Sequence, residues 1–470
     1  MSRRVDLLIV GAGPAGMSAA IAAKAYGLDV LLVDEQATPG GQIWRNVEAA
    51  AGIKRAEILG ESYLQGLEVV ARFRASGAGY EPGTQVWQVE AGTRAYMTCR
   101  GAASSVDATC LLLATGAQER PAPFPGWTLP GVMTVGAAQI VLKTSDQIPA
   151  EPVWIAGNGP LALLYAAQLL KAGGRIAGFL DTTLRVRAAS TIPRLATAAL
   201  GAPGDLLKGI GWIAALRRRV PYVRHVVELE AIGDGALESI RYVTEDGRTQ
   251  TVAAQLLLVH EGIVPTIHPT LALGCKHDWN DDQASFAPVL DTWGESSVPN
   301  VFVAGDGAGI GGATAAMLRG EIAGLRIAAR MGRTSEAQAA AAARPVRAKL
   351  KRALSSRAFL DDRYRPRPSI FVPVGKTIAC RCEEITVASI QAQTACGRPG
   401  PNQIKALTRA GMGPCQGRQC NYTIAHVLAA CEGRKVPDVG VYRVRPPLKP
   451  VTLDELAGLD IVDTDLRARV

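Results

Sequence analysis

An internal repeat is the feature that most constrains how this 470-residue chain can fold. Residues 11–35 and 157–181 align without a gap. Each copy begins with G-x-G-P, carries a glycine where a helix would meet the next strand, and ends on an acidic residue. An apolar, strand-like segment precedes each copy, which is typical of a β-α-β dinucleotide-binding unit. One such motif is weak evidence, but two in register predict an α/β chain with two Rossmann-like domains.

The glycines of the first copy have separate predicted roles. Gly11 permits the tight turn, Gly13 lets the backbone approach a pyrophosphate, and Gly16 lets the helix pack closely against the strand. The helix N-terminus presents N–H groups and a positive dipole end to the phosphates, and Glu35 can accept hydrogen bonds from a ribose diol. The residues predicted to bind the dinucleotide in this unit are Gly11, Gly13, Pro14, Ala15, Gly16, Asp34, Glu35 and Gln36.

The second copy predicts a second nucleotide site, whose occupant the sequence leaves open. Gly157 and Gly159 repeat the turn, and Asp181 at the end of the next strand suits an unphosphorylated ribose. Arg185 and Arg187 follow closely and could instead bind a 2′-phosphate. NAD(P), another adenine nucleotide and an empty site are all compatible with these residues.

The composition excludes several other classes of protein. The 50 glycines and the aromatic content of 5% fit α/β layers joined by tight turns. The net charge is +9, but Lys and Arg are dispersed, so we expect no nucleic-acid partner. Glycines and a proline interrupt the longest uncharged stretch, 153–170, so we expect no transmembrane segment. Nine cysteines without a leader-like N-terminus favour a reducing compartment, and we expect a cytoplasmic protein.

Three further stretches indicate what the first unit binds. The segments "PGGQIWR" (39–45), "LLLATGAQERPAPFPG" (111–126) and "VPNVFVAGDGAGIGGATAA" (298–316) resemble the two-dinucleotide-domain flavoproteins, the superfamily of thioredoxin reductase. The resemblance covers residues 1–330 and implies FAD in the first unit, with Asp306 on the ribityl chain. It adds to the FAD site Gly41, Gln42, Arg45, Ala114, Thr115, Gly116, Gly305, Asp306 and Thr314.

A disulfide reductase of this superfamily is disfavoured. Such enzymes need a redox-active cysteine pair beside the flavin, whereas Cys99, Cys110 and Cys275 are isolated in the sequence. We also find no nucleophile–base–acid set, and we assign no catalytic residue to this chain.

Four clustered cysteines lie beyond the nucleotide-binding units. Cys380, Cys382, Cys415 and Cys420 follow the pattern C-x-C-x32-C-x4-C. Four thiolates suffice for a [2Fe–2S] cluster or for tetrahedral zinc, and spacing alone does not separate the two. An iron–sulfur centre beside a flavin would accept electrons singly from a cofactor that takes them in pairs.

The segments around and after the four cysteines carry a narrower resemblance. "CRCEEIT", "IKALTRAGMGPCQGRQC" and "RPPLKPVTLDEL" resemble the bacterioferritin-associated-ferredoxin type of [2Fe–2S] domain. That domain occurs in the large FAD subunits of heteromeric amine dehydrogenases, which include opine oxidases, D-hydroxyproline and other D-amino-acid dehydrogenases and hydrogen cyanide synthase. The final pair here is C-x4-C rather than the C-x2-C of the stand-alone ferredoxin. The implied domains are FAD-binding (1–150 and 298–330), second dinucleotide-binding (151–297), helical connector (331–370), [2Fe–2S]-binding (371–435) and C-terminal tail (436–470).

The resemblance implies an electron-transfer subunit. In those enzymes a smaller amine-oxidase-like flavoprotein oxidises the C–N bond, often with a small ferredoxin-like third subunit. Electrons would pass between the cluster and the FAD of this chain and leave to an acceptor such as a quinone, which would bring the complex to the inner membrane. Two other hypotheses stay open: an autonomous NAD(P)H-dependent FAD/[2Fe–2S] reductase, and a zinc-stabilised docking module without an electron-transfer role.

Overall fold

The computed structural model describes residues 3–50, 54–90, 93–185, 188–395, 397 and 399–459. Arg187 and residues 460–470 of the predicted tail lie outside these ranges.

The elements follow one another along the chain as alternating strands and helices, with a helical segment after residue 312. The strands are β1 (Arg3–Val10), β2 (Val30–Asp34), β3 (Gly79–Pro82), β4 (Thr84–Val89), β5 (Arg94–Cys99), β6 (Ala102–Leu113), β7 (Ala117–Glu119), β8 (Val132–Thr134), β9 (Val153–Gly157), β10 (Ile176–Asp181), β11 (Tyr222–Arg224), β12 (Val226–Ile232), β13 (Ser239–Thr244), β14 (Thr249–Ala253), β15 (Leu257–His260), β16 (Ile263–Pro265), β17 (His277–Asn280), β18 (Ser285–Pro288), β19 (Val301–Val303), β20 (Ile378–Cys380) and β21 (Ile385–Thr386). The helices are α1 (Pro14–Lys24), α2 (Val47–Ala50), α3 (Lys54–Leu59), α4 (Glu61–Ala75), α5 (Val135–Ser145), α6 (Pro160–Lys171), α7 (Ala188–Gly201), α8 (Pro203–Arg219), α9 (His268–Ala272), α10 (Ala313–Arg330), α11 (Glu336–Ala353), α12 (Arg357–Arg363), α13 (Val387–Thr394), α14 (Pro401–Thr408), α15 (Asn421–Glu432), α16 (Val436–Val439) and α17 (Leu453–Ala457), with 3-10 turns at Gly305–Ala308 and Pro368–Ile370.

The first sheet combines both ends of the nucleotide-binding region. Its order is β3-β2-β1-β6, and β1, β2 and β6 pair in parallel. The long strand β6 pairs along its other edge with β5 in its first half and with β19 in its second half, where Val301 lies opposite Leu111. The chain therefore leaves the first sheet after β6 and returns to it with β19.

The second sheet is parallel throughout, in the order β11-β10-β9-β15-β8. Strand β8 belongs to it, because Val132 lies opposite Leu257. The second sheet therefore includes residues before 151, the position at which the sequence predicted the second domain to begin. Strand β8 has three residues and carries no repeat motif. Only its pairing with β15, more than a hundred residues later, assigns it to the second sheet. Strands β7 and β16 pair antiparallel where the chain crosses between the sheets.

Helices α1 and α10 pack closely together through small residues. A Cβ at Gly320 would collide with the Ala15 carbonyl, and one at Gly324 would lie 2.8 Å from the Ala19 carbonyl oxygen. Helix α1 follows β1 and α10 follows β19, so both helices begin at the carboxyl edge of the first sheet. Their N-termini therefore meet at the edge where open α/β sheets bind ligands.

The C-terminal module has its own small core. Buried residues of α13, α14 and α15 pack around Cys380 and Cys420. Tyr442 is only 2% exposed and belongs to this core, although it follows the module limit expected at residue 435. Its ring packs against Gly411 and Gly417, so chain beyond α15 completes the module.

The module docks on the segment where the chain crosses from the first sheet to the second. The Trp127 indole donates to the Ile378 carbonyl at 2.7 Å, and the Gln118 side chain donates to the Arg418 carbonyl at 2.9 Å. None of the helices within the described residues contains an apolar stretch of the length needed to span a bilayer.

Candidate functional site: a dinucleotide cavity beside four cysteines

Two of the three motif glycines in the first glycine turn are required by the fold, and the third faces open space. Gly11 has a φ of 109°, and a Cβ there would collide with the Ala114 carbonyl. A Cβ at Gly16 would collide with the Gly11 carbonyl. At Gly13, which has a φ of −76°, the nearest atom to an added Cβ is the Gly41 Cα at 3.8 Å. The missing side chain of Gly13 therefore leaves room for a ligand rather than for the protein.

Two helix N-termini offer donors to the same space. Helix α1 has Gly13 at its N-cap and α10 has Gly312, and among the described residues no side chain caps either end. Neither first turn holds an acidic residue. Free N–H groups and two positive dipole ends suit a pyrophosphate.

The two acidic residues after β2 differ in their surroundings. The Asp34 carboxylate accepts hydrogen bonds from the Ala12 N–H at 2.5 Å and from the Gln36 N–H at 2.7 Å. Burial raises the pKa of Asp34, and these two bonds oppose the shift. Asp34 thus fixes the glycine turn. Glu35 is exposed at the rim and forms an ion pair with Lys449.

A polar network holds the loop that follows. Arg45 donates to the side-chain oxygens of Gln36 and, at 3.1 Å, of Gln42. Lys143 of α5 is 4% exposed, and its ammonium donates to the carbonyls of Gln42 at 3.0 Å and Ile43 at 3.1 Å. Burial lowers the pKa of Lys143 to about 7, and the nearby Arg45 charge adds to the shift. Lys143 lies in no motif, so nothing in the sequence marks it.

Asp306 completes the opposite wall. Its Oδ1 accepts hydrogen bonds from the N–H groups of Gly311 at 2.8 Å and Gly312 at 2.9 Å. Close by, the Gly116 carbonyl oxygen would lie 3.4 Å from a Cβ at Gly307. These contacts bring the two segments that resemble flavin-binding motifs against each other.

A single cavity of about 1920 Å³ connects these residues, and we call it the central cavity. Every residue predicted for the FAD site except Gly16 lines it: Gly11, Gly13, Pro14, Ala15, Asp34, Glu35, Gln36, Gly41, Gln42, Arg45, Ala114, Thr115, Gly116, Gly305, Asp306 and Thr314. None of the cysteines in the described ranges lines it.

The second glycine turn lines the central cavity, but Asp181, the acidic residue predicted to act with it, does not. Gly159 lines the cavity, as does Asn158, whose buried amide group has no hydrogen-bond partner among the described residues. Gly157 instead packs on the His260 carbonyl. Asp181 does not line the cavity: it accepts from the Thr183 N–H at 2.9 Å and from the Tyr222 hydroxyl at 2.8 Å.

The connector covers part of the second domain. Arg367 is 1% exposed and donates to Glu261, which is equally buried, at 2.8 Å. Arg363 donates to the Leu184 carbonyl at 3.3 Å. Arg185, considered above as a 2′-phosphate ligand, lies 2.9 Å from Glu245. The strand end that would accept a ribose is therefore engaged by the protein's own side chains.

The four cysteines of the C-terminal module lie close enough to shift one another's pKa. Cys380 acts on both Cys420 and Cys382, and Cys415 acts on the same two thiols. The Gly411 N–H also donates to the Cys380 sulfur at 3.4 Å. The hydrogen bond from Cys420 lowers the pKa of Cys380 to about 6, although burial opposes the shift.

These donors suit an iron–sulfur centre in their chemistry. Thiolates with amide N–H groups directed at sulfur are the usual donor set of such centres. Over the residues that the structure describes, however, no group of three or more His, Cys, Asp or Glu side chains is arranged to hold a metal ion. If such a centre binds here, Cys380, Cys382, Cys415 and Cys420 would hold it, and it would supply one-electron transfer.

The module faces the central cavity. Arg381, between the first two cysteines, and Arg418 and Gln419, between the last two, line the cavity that contains the first glycine turn. Burial lowers the pKa of Arg418, while the Cys415 and Cys382 thiolates oppose the shift. The segments that carry the cysteines thus border the same cavity as the first glycine turn, although the cysteines themselves do not line it.

Two Rossmann-like domains, with the first glycine turn, Glu35 and Asp306 on one cavity, define a flavoprotein oxidoreductase of the two-dinucleotide-domain class. Residues 5–341 match the family model for pyridine nucleotide-disulphide oxidoreductases, and residues 375–459 match the sarcosine oxidase A3 domain. The chain belongs to the large FAD subunits of heteromeric amine dehydrogenases, the family that includes the corresponding subunits of opine oxidases.

Individual relatives agree with this membership. The corresponding opine oxidase subunit from Agrobacterium tumefaciens is 41% identical, over 98% of this chain and 93% of the relative. Hydrogen cyanide synthase subunit HcnB of Pseudomonas protegens is 34% identical, over 94% of this chain and 96% of the relative. L-proline dehydrogenase from P. horikoshii shares the fold, with a TM-score of 0.70, 21% identity, and coverage of 97% of this chain and 80% of that chain.

The comparisons confirm the predicted Rossmann-like α/β fold and the resemblance to the large FAD subunits. They identify the chain as one component of a FAD oxidoreductase and support FAD as its cofactor.

Proposed function

We propose that this chain is the electron-transfer subunit of a heteromeric amine dehydrogenase, with FAD in the first glycine turn and a [2Fe–2S] cluster on Cys380, Cys382, Cys415 and Cys420. The observation that carries the proposal is the central cavity, which runs from Gly13 to the arginines between the cysteines. FAD would exchange electrons in pairs and the cluster would exchange them singly.

The chain's own residues would hold the cofactor as follows. The N-termini of α1 and α10 offset the pyrophosphate charge, Glu35 accepts from the ribose, and Asp306 positions the ribityl chain. Lys143 and Arg45 fix the loop at Gln42, and Arg418 offsets thiolate charge on the module side.

Oxidation of the substrate would take place in a partner subunit. The relatives are components of opine oxidase, hydrogen cyanide synthase and sarcosine oxidase, which supports a multi-subunit complex. We propose a smaller amine-oxidase-like flavoprotein as the partner, with a small ferredoxin-like third subunit. The substrate class is an opine, an imino acid or a D-amino acid.

An autonomous NAD(P)H-dependent reductase fits the second domain less well. Such an enzyme needs a nicotinamide dinucleotide in the second site, but Asp181 is engaged by Tyr222 and lies off the central cavity. An adenine nucleotide at the second turn would have to bind without that carboxylate.

Anaerobic reduction tests the proposal. The purified chain alone should keep its oxidised flavin absorbance when NADH or NADPH is added. Addition of an amine substrate together with the co-purified partner should bleach the flavin and reduce the cluster. Rapid bleaching by NAD(P)H without a partner would contradict the proposal and favour the autonomous reductase.

A further inference from the structure

The chain after the cysteine module crosses back to the first domain. We call residues 443–450 the strap. The Leu448 N–H donates to the Trp87 carbonyl at 2.6 Å, and the Gln85 side chain donates to the Pro450 carbonyl at 3.2 Å. Both partners lie on β4, at the edge of the first sheet. The strap is therefore tied to the domain that carries the glycine turn.

One strap residue meets the predicted ribose carboxylate. Lys449 forms an ion pair with Glu35, and both side chains line the central cavity. The Lys449 side chain is 30% exposed and the Glu35 side chain is 49% exposed. A carboxylate offers about four acceptor positions on its two oxygens. The ion pair can therefore orient Glu35 and still leave acceptors for both hydroxyls of a ribose.

The other end of the strap starts at the cysteines. Tyr442, which precedes the strap, packs against the glycines on either side of Cys415 and donates its hydroxyl to the Ala410 carbonyl at 2.9 Å. Arg418 donates to the Leu448 carbonyl at 2.7 Å. An extended chain from Tyr442 to Lys449 spans at most about 25 Å. Tyr442, beside the cysteines, and Lys449, beside Glu35, are therefore no farther apart than this.

We infer that Lys449 is a positioning residue of the dinucleotide site, and that binding of FAD and docking of the strap stabilise each other. The inference rests on the proposed FAD occupancy of the first glycine turn. Coupling of two equilibria is reciprocal. FAD should therefore shift the docking equilibrium of the strap by the same factor by which the docked strap tightens FAD binding.

The first measurement is the affinity of apo-protein for FAD, from quenching of FAD fluorescence. Lys449→Met should weaken binding about two- to fivefold, the upper part of the range for a partly exposed ion pair. Lys449→Arg should restore most of the affinity. Arg445→Met is the matched control, because Arg445 is an exposed cation of the same strap. It should bind FAD like the wild type.

The second measurement is tryptic cleavage after Arg443 with and without FAD. Arg445 and Lys449 each precede a proline, so none of the three variants removes this cleavage site. FAD should slow cleavage in the wild type and in Arg445→Met, but have little effect in Lys449→Met.

Wild-type affinity in Lys449→Met, or cleavage that FAD does not slow in the wild type, would overturn the inference. A wild-type protein that binds no FAD at all would instead overturn the cofactor assignment, and the inference with it.

Discussion

At the scale of single residues, Gly13 and Gly16 show that neighbouring motif glycines have different tasks. Gly16 is required by the fold, since a side chain there would collide with the Gly11 carbonyl. Gly13 is not, because its φ of −76° suits any residue and the space beside it is open. Only substitution at Gly13 therefore probes the ligand without disturbing the turn.

We expect Gly13→Val to fold with a Tm near that of the wild type and to bind FAD at least about tenfold more weakly. Its side chain would occupy the pyrophosphate position. The measurements are thermal unfolding of the apo-protein and FAD titration. Gly209→Val, on α8 with open space around it, is the matched control and should retain FAD. Full FAD affinity in Gly13→Val would count against the assignment of the site.

Lys143 gives a prediction about pH. Its pKa in the folded protein is about 7, against about 10.4 in an unfolded chain, so between these values the unfolded state binds the extra proton. The contribution of this group to the free energy of unfolding therefore rises as pH increases from about 7 to 10. Lys143→Met should remove this rise, whereas the exposed Lys208→Met should not.

The measurement is the urea midpoint at pH 7 and pH 9 for the wild type and both variants. Equal pH dependence in the wild type and in Lys143→Met would show that Lys143 titrates like an exposed lysine.

At the scale of elements, sequence reasoning was most informative where local patterns repeat. The two glycine turns, the strands before them and the helices after them follow from short-range spacing. Strand β8 and the Tyr222–Asp181 and Lys449–Glu35 contacts did not follow, because each joins segments far apart in the chain. Side-chain pairing of this kind depends on tertiary packing, which local periodicity does not encode.

The connector is held by the buried pair of Arg367 and Glu261. Loss of one member leaves the other as an uncompensated buried charge, so Arg367→Met should lower the free energy of unfolding by about 3 kcal/mol. The double variant Arg367→Met/Glu261→Met should recover part of this loss. Urea denaturation of the single and double variants is the measurement. A double variant no more stable than Arg367→Met would contradict a direct ion pair.

At the scale of the whole molecule, three parts of the chain converge on the central cavity. The first domain contributes the dinucleotide turn, the second contributes Gly159, and the C-terminal module contributes Arg381 and Arg418. The sequence predicted these parts from their motifs and from the resemblance. Their convergence on one cavity is a result of docking through Trp127, Gln118 and the strap. No sequence motif predicts those contacts.

The central claim is that the chain holds a flavin and an iron–sulfur centre together. Its most direct test is EPR of the dithionite-reduced, natively purified protein, with metal, sulfide and flavin analysis of the same sample. We predict stoichiometric FAD, equal amounts of iron and acid-labile sulfide, and a signal that Cys382→Ser abolishes while FAD stays bound. Cys431→Ser, at an exposed cysteine outside the four, should keep the signal. Zinc in place of iron, or a colourless protein, would contradict the account.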